Sequence, residues 1–139
     1  MLKPLLILGY GNPGRLDDGL GPACIDALAR LRLEGVTLDA DYQLTVEDAA
    51  LAADHETVIF VDAAVTGPEP FDFHDIEPAA ALSFSSHAVE PGAVVTLAES
   101  LFGARPRAFA LAIRGYEFNA FGERLSAAAR RNLDAAVDF

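Results

Sequence analysis

The chain has 139 residues, 52% of them hydrophobic, with one cysteine, three histidines and a formal net charge of −11. That length buries on the order of 70% of its unfolded surface, so residues 1–139 are expected to fold as a single domain with no structural metal, and one cysteine excludes an internal disulfide framework. So acidic a chain has no basic face for nucleic-acid phosphates or anionic lipid, the apolar run behind Lys3 is too short for a signal peptide, and no segment reaches the ~20 apolar residues of a membrane span; a soluble, cytoplasmic protein is expected.

Leu5, Leu6, Ile7 and Leu8 form a continuous aliphatic run ending in glycine, which suits a parallel strand covered on both faces. The loop GYGNPGRLDDGLGP, Gly9 to Pro22, therefore starts at a strand's carboxyl end, where open α/β sheets bind their ligands. Leu20, Cys24, Leu28 and Leu31 follow at helical spacing, with Pro22 tolerated in the first turn and Gly35 as the stop. Cys24 lies on the apolar stripe, and its expected role is packing. Val36 to Asp41 alternates in a strand's period of two, and Thr45 with Asp48 resembles the cap of a short alanine-rich helix running to about Ala53.

Thr57 to Ala64 holds Val58, Ile59, Phe60 and Val61 and predicts a central strand terminating at Asp62. Phe71, Phe73 and Ile76 mark a weaker strand nearer an edge, followed by an irregular stretch from Glu77 to Ser86. A helix is predicted from Ala93 to Phe102, stopped by Gly103; Phe109, Leu111 and Ile113 mark another strand; Gly115 to Gly122 is a loop. Ser126 is placed to cap a last helix with Leu133 and Val137 facing inward. This order predicts a three-layer α/β/α sandwich with a mostly parallel central sheet and one antiparallel edge strand.

Gly9, Gly11 and Gly14 satisfy the dinucleotide pattern GxGxxG, and Asp39 or Asp41 closes the second strand where a ribose-binding carboxylate would lie. Against it, Pro13 stiffens the loop, while Gly19, Gly21 and Pro22 postpone the helix whose free N–H groups would hold a pyrophosphate. Asp17 and Asp18 stand in the mouth where phosphate charge would go. Carboxylates there either attract a cation or cap the helix.

Asp62 is carried to the edge of the core by its strand, and His87 lies in the irregular SFSSHAVEPG segment. Each alone has a bland reading, as a strand terminus or a surface histidine. Together with Asp18 they offer two carboxylates and an imidazole, a set suited to Zn²⁺, Ni²⁺ or a similar ion that polarises a carbonyl and acidifies bound water. His55 and His74 are expected to be structural. Ser83, Ser85 and Ser86 precede His87, but no GxSxG elbow supports a serine nucleophile.

The opening loop, VIFVDAAV, the SSH of Ser85 to His87 and the GYEF of Gly115 to Phe118 together resemble the nickel-iron hydrogenase maturation proteases over nearly the whole chain. Gly9, Gly11, Asn12, Asp17, Asp18, Gly19 and Gly21 match that family's opening signature, and Asp18, Asp62 and His87 correspond to its metal-contacting residues, with Asp18 where some members carry Glu. The GNPGR form of the loop looks most like the branch serving cytoplasmic, nucleotide-reducing hydrogenases. The resemblance implies an endopeptidase that removes a C-terminal extension from the nickel-loaded precursor of the hydrogenase large subunit. It implies nickel supplied by the substrate, no organic cofactor, and a chain that is monomeric when free. Gly11, Asn12 and Glu117, with Asn119 beside it, are candidates to position the substrate. Two alternatives stand beside it: a small dinucleotide-binding module, and a nickel-sensing binding protein without proteolysis.

Overall fold

A computed structural model of the chain describes residues 2–76, 91–118 and 120–139. The elements follow in the order β1 (Lys3–Tyr10), a 3₁₀ turn (Leu16–Gly19), α1 (Leu20–Ala29), β2 (Val36–Asp41), α2 (Glu47–Ala53), β3 (His55–Ala64), β4 (Phe71–Asp75), α3 (Pro91–Phe102), β5 (Arg107–Arg114) and α4 (Ala127–Asp138). The sheet has the order β2-β1-β3-β5-β4. β1 pairs in parallel with β2 and β3, β3 pairs in parallel with β5, and β4 runs antiparallel to β5 at the edge. This is the three-layer arrangement with its one antiparallel edge strand that the pattern of elements predicts.

Continuous aliphatic runs form the inner strands because both faces of the sheet are covered. Leu6 and Leu8 of β1, Val58 and Phe60 of β3 and Ala108 of β5 pack under α2 and α3, while Ile7, Val61, Leu111 and Ile113 pack under α1 and α4. A fully buried Leu or Phe contributes about 1.5–3 kcal/mol, so these central strands anchor the frame on which the loops sit. At the edge, Phe73 of β4 stacks on Phe109 of β5 with centroids 5.2 Å apart.

Several boundaries differ from the sequence reading. α1 ends at Ala29, short of Gly35, and Leu31, expected on the apolar stripe, is 55% exposed. The chain has left the helix there: Arg32 and Gly35 take φ of 50° and 72°, which reverses its direction into β2. β3 runs two residues beyond Asp62 because its pairing with β5 continues to Ala64↔Arg114. α2 begins at Glu47, and the Thr45 N–H donates to the Asp48 carboxylate at 2.8 Å, so the side chain that ties this start is Asp48. The irregular stretch 77–86 lies outside the described residues. Ser126 caps α4 as expected, accepting from the Ala129 N–H at 3.2 Å.

Candidate functional site

β1 leads through α1 to β2 on one side, and β2 leads through α2 back past β1 to β3 on the other, so the sheet reverses its winding between β1 and β3. Such a switch point leaves a crevice beyond the strands' carboxyl ends. Gly9 and Val61 are in register there, with Tyr10 and Asp62 next along the two strands. Gly21 lets α1 settle directly onto this point, since a Cβ on it would collide with the Tyr10 carbonyl oxygen and lie 2.7 Å from that of Val61. Gly11 turns the chain out of β1 at φ 140°, a conformation that L side chains rarely adopt, and a Cβ on it would strike the Asp18 carbonyl oxygen. The loop is thereby folded back so that Asp18 returns to the end of the strand it left.

Asp18 lies in the 3₁₀ turn, which packs against β3 as well as α1. Its Oδ2 accepts the Asn12 N–H at 2.9 Å. It does not cap α1, whose N-cap is Gly19 without a side-chain bond. One hydrogen bond occupies one of the roughly four lone-pair sites of a carboxylate, which leaves capacity for a cation. Asp62 is half-buried on the adjacent strand, and its Oδ1 accepts the Ala63 N–H at 2.7 Å. Asp62 thus lies near the carboxyl end of β3 and Asp18 in the turn that packs against that strand, and their hard oxygens suit a divalent ion. His87 lies outside the described residues, as do Asn119 and Ser83, Ser85 and Ser86. Among the described residues no group of three or more His, Cys, Asp or Glu is placed to hold a metal ion.

The loop's N–H groups are satisfied internally. Gly11 donates to the Asp41 carbonyl, Arg15 to that of Asn12, Leu16 to that of Gly122, Asp17 to that of Glu117 and Asp18 to that of Arg15. Asn12 donates to Asp18, and Gly14 to the Asn12 Oδ1 at 2.8 Å. Phosphate binding needs such groups free, and α1 starts only at Leu20, so the GxGxxG string of Gly9, Gly11 and Gly14 does not build a dinucleotide cradle. The backbone N–H groups of Gly11 and Asn12 are likewise already engaged, by the Asp41 carbonyl at the end of β2 and by the Asp18 carboxylate. Glu117 contributes to the site through its main chain, and its side chain is exposed.

Asp17 has a role that the sequence reading did not assign. It is fully buried, and its Oδ2 accepts from the Tyr116 N–H, the Glu117 N–H and the Ser126 hydroxyl at 2.7, 2.9 and 2.7 Å, while its Oδ1 accepts the Ser126 N–H at 2.7 Å. Burial pushes this carboxyl's pKa up, but the N–H groups of Ser126, Glu117 and Tyr116 and the Ser126 hydroxyl outweigh it, and the net position is below the usual aspartate value. Leu16, immediately before it, has a φ of 52°, a left-handed conformation worth roughly 1–2 kcal/mol of strain for an L residue. Its burial and its hydrogen bond to Gly122 hold it there. No local pattern marks Asp17, because it precedes α1 and three of its four donors are main-chain N–H groups about a hundred residues away.

The remaining candidates stand apart from this cluster. His55 is buried between the Leu51 carbonyl at 2.8 Å and the Thr37 hydroxyl at 2.9 Å. His74 pairs with Asp72 at 2.7 Å on the exposed edge strand. Cys24 is buried, which pushes its thiol up to about 11 and fits packing. A concavity of about 550 Å³ opens at the other end of the sheet, by Ile76, Pro106 and Arg107. Another of about 440 Å³ runs beside the loop, between Leu16 and Pro22 on one wall and Glu123, Arg124 and Leu125 on the other. Neither Asp18 nor Asp62 lines either concavity, although Leu16 and Gly19, on either side of the Asp17–Asp18 pair, line the second.

No protein-family model matches the chain. No curated protein matches it either. Solved structures do. A hydrogenase 2 maturation peptidase from Thaumarchaeota archaeon SCGC_AB-539-E09 is 24% identical with a TM-score of 0.71, over 98% of this chain and 94% of that one. The [NiFe] hydrogenase maturation protease HycI from Thermococcus kodakarensis KOD1 is 21% identical with a TM-score of 0.74, over 98% and 88%. The hydrogenase maturating endopeptidase HybD from E. coli is 17% identical with a TM-score of 0.74, over 97% and 88%. The described residues have the fold of these maturation peptidases.

Proposed function

We propose that this protein is an endopeptidase that removes the C-terminal extension from the nickel-loaded precursor of a nickel-iron hydrogenase large subunit. The observation that carries the reading is the placement of Asp18, turned back by a glycine loop to the carboxyl end of β1, beside the strand that ends near Asp62. A fold shared with structures named as maturation peptidases and endopeptidases supports it. In this reading Asp18, Asp62 and His87 meet the nickel that the precursor brings, and the protein holds no organic cofactor. Asp18, Asp62 and His87 would be the side chains that face the ion, whose chemistry there would be to polarise the scissile carbonyl; the hydrolysis adds water's hydroxyl to the acyl carbon and its proton to the departing amine. The chain works as a cytoplasmic monomer that docks transiently on its substrate.

Intact-mass measurement of the precursor tests this. Added to the nickel-loaded form, the protein should release the extension; added to the nickel-free form, it should not. An untruncated nickel-loaded cognate precursor would overturn the reading, and binding without truncation would make the chain a nickel sensor. Asp18→Asn keeps an oxygen for the Asn12 N–H but loses the charge. It should lower cleavage by at least about 100-fold while stability stays within about 1 kcal/mol. His87→Ala should also abolish cleavage.

A further inference from the structure

We propose that Asp17 is a positioning residue for this cleavage: its carboxylate latches the turn carrying Asp18 to the loop 115–126 and so fixes where Asp18 presents its second oxygen. The inference rests on the function proposed above, which uses Asp18 but not its neighbour. All four donors to Asp17 come from Tyr116, Glu117 and Ser126, about a hundred residues away in sequence. The clasp is reinforced in the opposite direction, because the Asp17 N–H donates to the Glu117 carbonyl and the Leu16 N–H to that of Gly122. The far side is itself anchored. Asn132 is buried in α4 and donates through Nδ2 to the Arg114 carbonyl and the Tyr116 hydroxyl, both at 2.9 Å.

The packing is as tight as the hydrogen bonding. A Cβ on Gly115 would lie 2.9 Å from the Asp17 Cβ and 2.8 Å from the Phe118 ring, so the loop rests directly on the carboxylate's stem. Asp18 follows Asp17 in a four-residue turn, and its direction is set by the Asn12 N–H on one side and by the Asp17 anchor on the other. The same anchor ties together the two walls of the 440 Å³ groove, one holding Leu16 immediately before Asp17 and the other Leu125 immediately before Ser126. Loosening it moves a metal-facing carboxylate relative to Asp62 without touching either. Misplacement on the scale of an ångström costs a reaction of this kind about 100-fold.

Three full-length variants test the latch. In Asp17→Asn the amide oxygen can serve the three donors at Oδ2, but its NH₂ then faces the Ser126 N–H. Ser126→Ala removes one donor and Ser126→Thr restores it. For Asp17→Asn, hydrogen exchange of the Asn12 amide should quicken by at least about tenfold while core amides such as Phe60 keep their protection. Its kcat on the nickel-loaded precursor should fall by about 10- to 100-fold with KM within about threefold. Ser126→Ala should show the same changes in smaller measure, and Ser126→Thr should match the wild type. Asn12 exchange and kcat within about twofold of wild type in Asp17→Asn would overturn the proposal. If Asp17→Asn does not fold, equal exchange and kcat in Ser126→Ala and Ser126→Thr would overturn it. Should the wild type not cleave at all, the proposed function fails, while Asn12 exchange still decides whether Asp17 positions Asp18.

Discussion

Asp17 and Asp48 are the two buried carboxylates among the described residues, and each lies at the start of a helical segment. Asp17 is the deeper, fully buried against 6% exposure for Asp48. Burial alone would make Asp17 the harder to ionise, yet its pKa is lowered and that of Asp48 is raised. The difference lies in the company each keeps. Asp17 collects four donors, three of them backbone N–H groups held by packed elements. Asp48 is desolvated, accepts from the Thr45 N–H, and faces the negative charges of Asp41, Asp39 and Glu47. A buried charge is stable here in proportion to the fixed dipoles aimed at it.

The hardest blow to this comparison is to remove the Asp17 carboxylate altogether. Asp17→Ala strands three backbone N–H groups and a hydroxyl inside the protein, and each stranded buried donor costs about 1–3 kcal/mol, less wherever water can enter. The expected loss is about 3–5 kcal/mol in urea unfolding, enough to threaten the fold of a domain this size. A loss below about 1 kcal/mol would mean that the loop 115–126 is held by its packing and that the latch is incidental.

Acid should separate the two carboxylates next. Asp17 has a folded-state pKa below 3.8, so its contribution to stability is complete above that value and disappears as the pH falls through the lowered one. Asp48 has the opposite sign. Its pKa is raised above 3.8, so its ionisation weakens the fold at neutral pH, and stability is recovered as the pH falls through the raised value. The windows lie on opposite sides of 3.8. Unfolding free energy measured from pH 7 downwards should carry an upward contribution from Asp48 before the Asp17 limb descends. Asp17→Asn should flatten only the limb below 3.8, and Asp48→Asn only the slope above it. A change in the wrong window would reassign the titration to another group.

How far each region was legible in the sequence follows the same physics. The sheet was readable because Leu6, Leu8, Val58 and Phe60 are buried by a sheet covered on both sides, and an aliphatic run records that directly. Asp62 was readable as a carboxylate near a strand's end because β3 is, and Asp18 as part of the glycine-rich loop that leaves β1. Leu31 misled because its spacing continues the apolar stripe after the backbone has ceased to be helical at Arg30. The latch left almost no trace. The partners of Asp17 are mostly main-chain N–H groups, which every residue but proline possesses, and a separation of about a hundred residues leaves no local pattern. Ser126 is the one partner whose side chain marks it, and its role as a helix cap already accounts for a serine there.

The smallest expected effect is also the most discriminating. Asp48→Asn retains an oxygen for the Thr45 N–H, so the tie at the start of α2 survives. What disappears is a desolvated negative charge among Asp41, Asp39 and Glu47. If donors decide the fate of a buried carboxylate, the neutral amide should be tolerated here, with stability at pH 7 unchanged or increased by up to about 1 kcal/mol. The same exchange at Asp17 turns an NH₂ towards the Ser126 N–H and loses stability. Opposite signs for one chemical change at two buried aspartates are what differential scanning calorimetry should record. Destabilisation of both by similar amounts would show that burial, with its loss of side-chain freedom and shape, governs each site regardless of the donors around it.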